Sequence, residues 1–160
     1  MELLENLLDR ALKVSRKAIV SGFDAVNCLV NCKSNDNVVS RVKAWAEINQ
    51  INLLVCDMET YRRLEEIIIK GKGNKRNLFA DFFEPLNQPN TVLFLSNLDQ
   101  APISLTGWLI RLVDGFNTRK LFNPDKYKGL LFTIGTINTD DSCRHRLDAG
   151  LVDRFMIIKE

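Results

Sequence analysis

The chain has 160 residues, 22 Lys+Arg against 20 Asp+Glu, one His, four Cys and 46% apolar residues, a length suited to one domain with a real core and a composition that excludes collagen-like, disordered and mucin-like classes. Its formal charge of +2 is too balanced to signal nucleic-acid binding by composition. No apolar run approaches the ~20 residues that span a bilayer, and Glu2 and Glu5 stand where a secretory leader is basic, so a cytoplasmic protein without membrane contact is expected.

Leu3, Leu4, Leu7, Leu8, Ala11, Leu12, Ala18 and Ile19 recur at helical spacing, with charged residues opposite, and predict a leading amphipathic helix within residues 1–20. Ala25 to Val30 reads as a first strand. Polar residues 33–37 read as a loop, and Val38, Val39, Val42, Trp45, Ala46 and Ile48 as a helix. Ile51 to Cys56 is a second strand, after which Asp57 or Thr60 caps a helix carrying Tyr61, Leu64, Ile67 and Ile68.

Lys70, Lys72, Lys75 and Arg76 belong to a basic, glycine-punctuated loop, followed by a short aromatic helix through Phe79 and Phe83. Thr91 to Leu95 forms a third strand, residues 103–113 a helix, and Leu130 to Ile134 a fourth strand. Leu147 to Val152 is a helical turn and Phe155 to Ile158 a fifth strand. Strands alternate with helices, and each strand is a near-continuous apolar run. Both of its faces must then be covered, which predicts an α/β domain with a five-stranded, mainly parallel sheet sandwiched by helices. No repeat or linker divides residues 1–160. The polar loops fall along one sheet edge, where such folds place ligand sites.

The cysteines form no CxxC pair and His145 is the single histidine, so Cys28, Cys32, Cys56 and Cys143 read as reduced core thiols and no metal site is expected. Trp45 and Trp108 read as core. His145 has no Ser, Cys or Asp partner at useful spacing, which leaves nucleophilic catalysis without support.

Three segments in order resemble landmarks of the AAA+ ATPases, on the P-loop NTPase fold. Val92-Leu93-Phe94-Leu95-Ser96-Asn97-Leu98-Asp99 looks like the Walker B strand, and Leu131 to Asn138 resembles the strand ending in the first-sensor residue. Leu147 to Phe155 is similar to the segment carrying the arginine finger in its Asp-Arg-Phe form, and residues 73–79 look like the helix start after the central-pore loop. The resemblance covers roughly residues 24–160. It implies an ATP-binding core, oligomeric partners of like fold, and a helical lid beyond the fifth strand. Nothing up to Glu160 could form that lid, so either the chain is part of a longer protein or the lid is lost.

Measured against that pattern, the chemistry is depleted. A phosphate-binding loop needs G-x-x-x-x-G-K-[ST], glycines to let amides wrap the phosphates, a Lys to neutralise them and a hydroxyl for Mg²⁺. In register, Cys32 and Asn37 replace the glycines, and Val38 and Val39 replace the Lys and hydroxyl residue. Lys33 comes too early to substitute, Asp36 adds a negative charge, and Asn37 could take a left-handed turn. Ser96 stands where an Asp would hold the metal's water shell, and Asn97, an amide and no base, where a Glu would polarise water.

The resemblance therefore implies a degenerate, inactive ATPase homologue with no bound cofactor, serving as a subunit or scaffold for other AAA+-like subunits. Arg154 reads either as an arginine finger acting in trans or as half of an ion pair with Asp153. Asn138 reads as first sensor or as the cap of the turn at Thr139 to Asp141. Lys70 to Arg76 and Arg144 to Arg146 read as solvated surface or as phosphate contacts. Two alternatives remain: an ATP/Mg-binding ATPase or motor fragment with an atypical loop, and a nucleic-acid-binding module.

Overall fold

The apolar runs become one sheet of five strands: β1 (Asn27–Cys32), β2 (Asn52–Asp57), β3 (Thr91–Ser96), β4 (Leu130–Asn138) and β5 (Phe155–Lys159). All four pairings are parallel and the spatial order is β2-β3-β4-β1-β5. Among the described residues the sheet is accompanied by α1 (Leu4–Ser21), α2 (Asn35–Ile48), the short α3 (Ala149–Val152) and a 3-10 turn at Leu98–Gln100. The computed structural model describes residues 3–21, 25–60, 86, 88–101, 106–107, 109–110, 113, 130–138 and 147–159.

Because successive strand residues point to opposite faces, each central strand serves two cores. Cys28, Val30, Val92, Phe94, Phe132 and Ile134 pack with Leu4, Leu8, Val42 and Trp45 under α1 and α2. Leu29, Leu93 and Leu95 pack on the other face with Met58, Leu86, Leu109, Val113 and Leu151. Trp45 meets Phe132 edge to face at 6.1 Å, the geometry favoured by ring quadrupoles. Cys28, Cys32 and Cys56 are free and buried, as expected of core thiols. Burial pushes the Cys28 and Cys56 thiols up to about 12. Cys143 and Trp108 lie outside the described residues.

Helices α1 and α2 lie side by side and run the same way, joined by contacts between residues 36 apart. Arg41 donates from Nε and Nη2 to the two Glu5 carboxylate oxygens, both at 2.8 Å. One turn further, Trp45 Nε1 donates to Asp9 Oδ1 at 2.8 Å. The Arg41 hydrogen bonds hold the Glu5 carboxyl below the usual carboxylate range.

Among the described residues the element order agrees with the sequence reading, but several boundaries move; the helices expected through Tyr61 to Ile68 and through Phe79 and Phe83 lie outside the described residues. The first strand was expected at Ala25 to Val30 and lies two residues later. Asn27 is admitted because Nδ2 donates to the Val113 carbonyl at 2.8 Å and Oδ1 accepts from Thr133 N at 2.9 Å, which offsets its desolvation. The loop expected at 33–37 is only Lys33-Ser34. Ser34 is the N-cap of α2, its side chain accepting from Asn37 N, so Asn37 is helical and takes no left-handed turn. The fourth strand continues past Ile134 to Asn138. Gly135 does not break it; an added Cβ there would stand 2.9 Å from Leu98 Cδ2 and 3.1 Å from Leu29 Cδ1. Ile48, placed on the apolar face of its helix by spacing, is instead 83% exposed.

Candidate functional site

The strand order fixes where a ligand crevice can open. From β1 the chain crosses to β2 on one side, and from β4 it passes to β5 on the other, yet β1 and β4 are neighbours. Their diverging exits make the carboxyl ends of β1 and β4 the switch point at which open α/β sheets bind ligands. Cys32 and Asn138 lie side by side there.

Several residues singled out from the sequence converge on this edge. Cys32 ends β1 and is buried, its thiol 3.6 Å from the Ile137 carbonyl. Lys33 is exposed in the connection, Asn37 is exposed in the first turn of α2, Val38 is buried and Val39 half-buried. Ser96 ends β3, 3% exposed, beside Asp57 at the end of β2. Asn97 follows with φ 54 and ψ 47, a left-handed conformation that Asn tolerates better than most residues. Asn138 ends β4 and is exposed.

What occupies the edge is a hydrogen-bonded chain running from α2 across three strands. The Thr136 hydroxyl, 1% exposed, donates to Asn35 Oδ1 at 2.5 Å and accepts from Asn97 N at 2.9 Å. Asn97 Nδ2 donates to Asp57 Oδ1 at 3.1 Å. Asp57 caps the helical residues 58–60, accepting from Glu59 N through Oδ1 and from Thr60 Oγ1 through Oδ2, each at 3.1 Å. The cap at Asp57 agrees with the sequence reading. Asn35 and Thr136 as partners were missed: Asn35 opens α2, Thr136 stands two residues short of the end of β4, and no local sequence signal joins two residues 101 apart. Beyond the chain, Asp99 is buried and its Oδ2 accepts from Gln100 Nε2 at 3.2 Å.

Arg154 lies elsewhere. It precedes β5, so it sits at the amino edge of the sheet, and its backbone carbonyl lies 3.5 Å from Asn27 Nδ2 at the start of β1. Six strand residues, about 17 Å, separate it from the carboxyl edge. It is exposed, and Nη1 donates to the Gly150 carbonyl, closing the end of α3. Asp148 caps the start of that turn by accepting from Gly150 N. Lys70, Lys72, Lys75, Arg76, Arg144, His145 and Arg146 lie outside the described residues, as does the turn that Asn138 was expected to cap. Among the described residues no helix is long and apolar enough to cross a membrane, and no three His, Cys, Asp or Glu residues are grouped for a metal.

Comparison by sequence finds no matching family model and no matching curated protein. Comparison by structure does find neighbours. The RuvB Holliday junction branch migration motor of Thermotoga maritima superposes with a TM-score of 0.57 at 18% identity, over 99% of this chain and 45% of that one. C. elegans PCH-2 gives 0.61 at 15% identity, over 98% of this chain and 41% of that one. A DNA replication initiation factor gives 0.52 at 14%, over 99% and 47%. The chain thus spans less than half the length of these structures. Its fold is that of the P-loop NTPase cores of AAA+ ATPases.

Proposed function

We propose that this AAA+-fold chain is a non-catalytic subunit or scaffold that engages partners of like fold and offers them Arg154 in trans. The observation that carries the reading is the hydrogen-bonded chain Asn35–Thr136–Asn97–Asp57. At the switch point, where a nucleotide's phosphates and metal would need donors and carboxylates, the polar groups bind one another. Opening that chain for a ligand would break three partly buried hydrogen bonds, each costing up to about 1–3 kcal/mol where the group left unmet is shut off from water.

The β1–α2 connection supports the same reading. Lys33 and Ser34 are two residues, too few for successive amides to encircle a phosphate. Asn37 N at the α2 terminus is already taken by Ser34 Oγ. Asp36 brings negative charge to the terminus, where it favours the helix dipole but repels a phosphate. The residues present do not suit a nucleoside triphosphate with Mg²⁺, and no step is assigned to one. The position of Arg154 at the opposite edge suits action on a neighbour, since one arginine side chain does not span a strand length.

Titration calorimetry with ATP and Mg²⁺ is expected to give no saturable heat, and a micromolar affinity would favour an active fragment with an unorthodox loop. In a mixed assembly with a like-folded ATPase, Arg154→Ala is expected to lower turnover by ~10³-fold or more with this chain still folded, its melting temperature lowered only by the loss of the contact with Gly150. Unchanged turnover would leave Arg154 with a structural role within this chain.

A further inference from the structure

The contacts between α1 and α2 form a ladder with one rung unlike the others. Glu5 faces Arg41 and Asp9 faces Trp45, an acceptor on α1 meeting a donor on α2 each time. The next rung pairs Lys13 with Asn49, whose Nδ2 is already turned back to the Trp45 carbonyl at 2.9 Å. Here the helices leave a groove of about 440 Å³ lined by Asp9, Leu12, Lys13, Arg16, Lys17 and Asn49. Three cations against one carboxylate give its lining a charge of +3 − 1 = +2, and Asp9 Oδ1 is held by Trp45 Nε1. We propose that this groove binds a small phosphate-bearing anion, which completes the third rung.

The cations are arranged for that chemistry. Lys13 and Lys17 are one helical turn apart, a like-charge spacing that destabilises a bare helix by a few tenths of a kcal/mol. Among the described residues neither ammonium group has an ion pair or hydrogen bond. Arg16 is held in place, its Nη2 donating to Asn90 Oδ1 at 3.0 Å. Asn90, itself left-handed at φ 60, is anchored by Nδ2 donating to the Gln50 carbonyl at 2.8 Å and by its own carbonyl accepting from Asn52 N at 3.0 Å. That frame fixes one guanidinium nitrogen and leaves the fork beside two flexible ammonium groups, the mixture of fixed and mobile donors that suits phosphoryl oxygens. Buried Leu12 supplies an apolar floor. The volume falls in the small-ligand range of about 300–1,000 Å³. Because Asn90 immediately precedes β3, the groove lies at the amino edge of the sheet, away from the chain of Asn35, Thr136, Asn97 and Asp57, and its occupancy does not depend on nucleotide chemistry there.

Titration of the ¹⁵N-labelled chain with inorganic pyrophosphate at constant ionic strength tests the proposal. Saturable amide shifts at Lys13, Arg16, Lys17 and Asn49 are expected. Binding should weaken about tenfold or more in Lys13→Glu/Lys17→Glu, and to a smaller degree in Arg16→Gln, with far-UV circular dichroism unchanged in both. Linear shifts matching those from sodium chloride, or binding that survives the double charge reversal, would overturn it. A short single-stranded oligonucleotide binding much more tightly than pyrophosphate, with a steep salt dependence, would also overturn the small-ligand assignment.

Discussion

The two edges of the sheet use polar residues in opposite ways. At the carboxyl edge, Asn35, Thr136, Asn97 and Asp57 come from four elements and satisfy one another at 2.5–3.1 Å. At the amino edge of the α1–α2 face, Lys13, Arg16 and Lys17 come from a single helix and converge on an open groove. A fold that places its ligand crevice at the carboxyl ends of its strands here has that crevice bridged by internal bonds. Unspent charge is found at the other edge. Polar residues at an edge are therefore a poor guide to function until their partners are known.

The largest expected effect comes from cutting the bridged edge. Thr136→Val keeps the shape but strips both hydrogen bonds, leaving Asn97 N and Asn35 Oδ1 unmatched. It should cost about 3 kcal/mol in urea unfolding. Thr133, three residues earlier on the same strand, is the internal control. It is equally buried, yet among the described residues its hydroxyl has no partner, so Thr133→Val should be neutral or stabilising by up to about 1 kcal/mol. Equal losses at both positions would mean that the Thr136 bridge adds nothing.

A smaller effect is expected between the helices. Asp9→Ala orphans Trp45 Nε1, with an expected loss of about 1–2 kcal/mol and a shift in Trp fluorescence. The groove beyond it should tolerate change best. Lys13→Gln with Lys17→Gln should move stability by no more than about 0.5 kcal/mol in either direction, since neither lysine holds the fold together. A loss comparable to that of Thr136→Val would make those lysines structural.

Two thiols sharpen the picture by pH. Cys28 and Cys56 stay protonated in the folded chain up to about 12, through burial, against 9.0 for an ordinary thiol. The unfolded chain therefore releases those protons first, and stability falls as pH rises between these values, by up to about 1.4 kcal/mol per pH unit for each thiol. As pH falls below 9.0 the unfolded thiols also become protonated and the slope fades towards zero. Denaturant melts from pH 8 to 11 measure this.

The strands were legible because runs such as Val92-Leu93-Phe94-Leu95 are apolar on both faces and bounded by polar residues. Legibility failed where polar residues were paired by distant partners. Asn27 enters β1 through Val113 and Thr133, 86 and 106 residues away, and no local pattern reveals that. Asn35-Asp36-Asn37 resembles a loop by composition. The capping hydroxyl of Ser34 and the acidic first turn were the local signals that it starts a helix. The apolar run ends at Ile134, yet the strand continues through Gly135, where close packing against Leu98 and Leu29 demands the missing side chain. At the site, the positions of Cys32, Ser96, Asn97 and Asn138 along one edge followed from strand order. The bond between Thr136 and Asn35, 101 residues apart, depends on sheet register and could not be read in advance.

The most direct test of a closed carboxyl edge is the ¹⁵N amide spectrum of the chain with a non-hydrolysable ATP analogue and Mg²⁺. Amides of residues 33–37 and of Asn97 and Asn138 should stay where they are at millimolar analogue. Saturable shifts confined to those amides, or loss of the Asn97–Thr136 hydrogen-bond signature on titration, would contradict it.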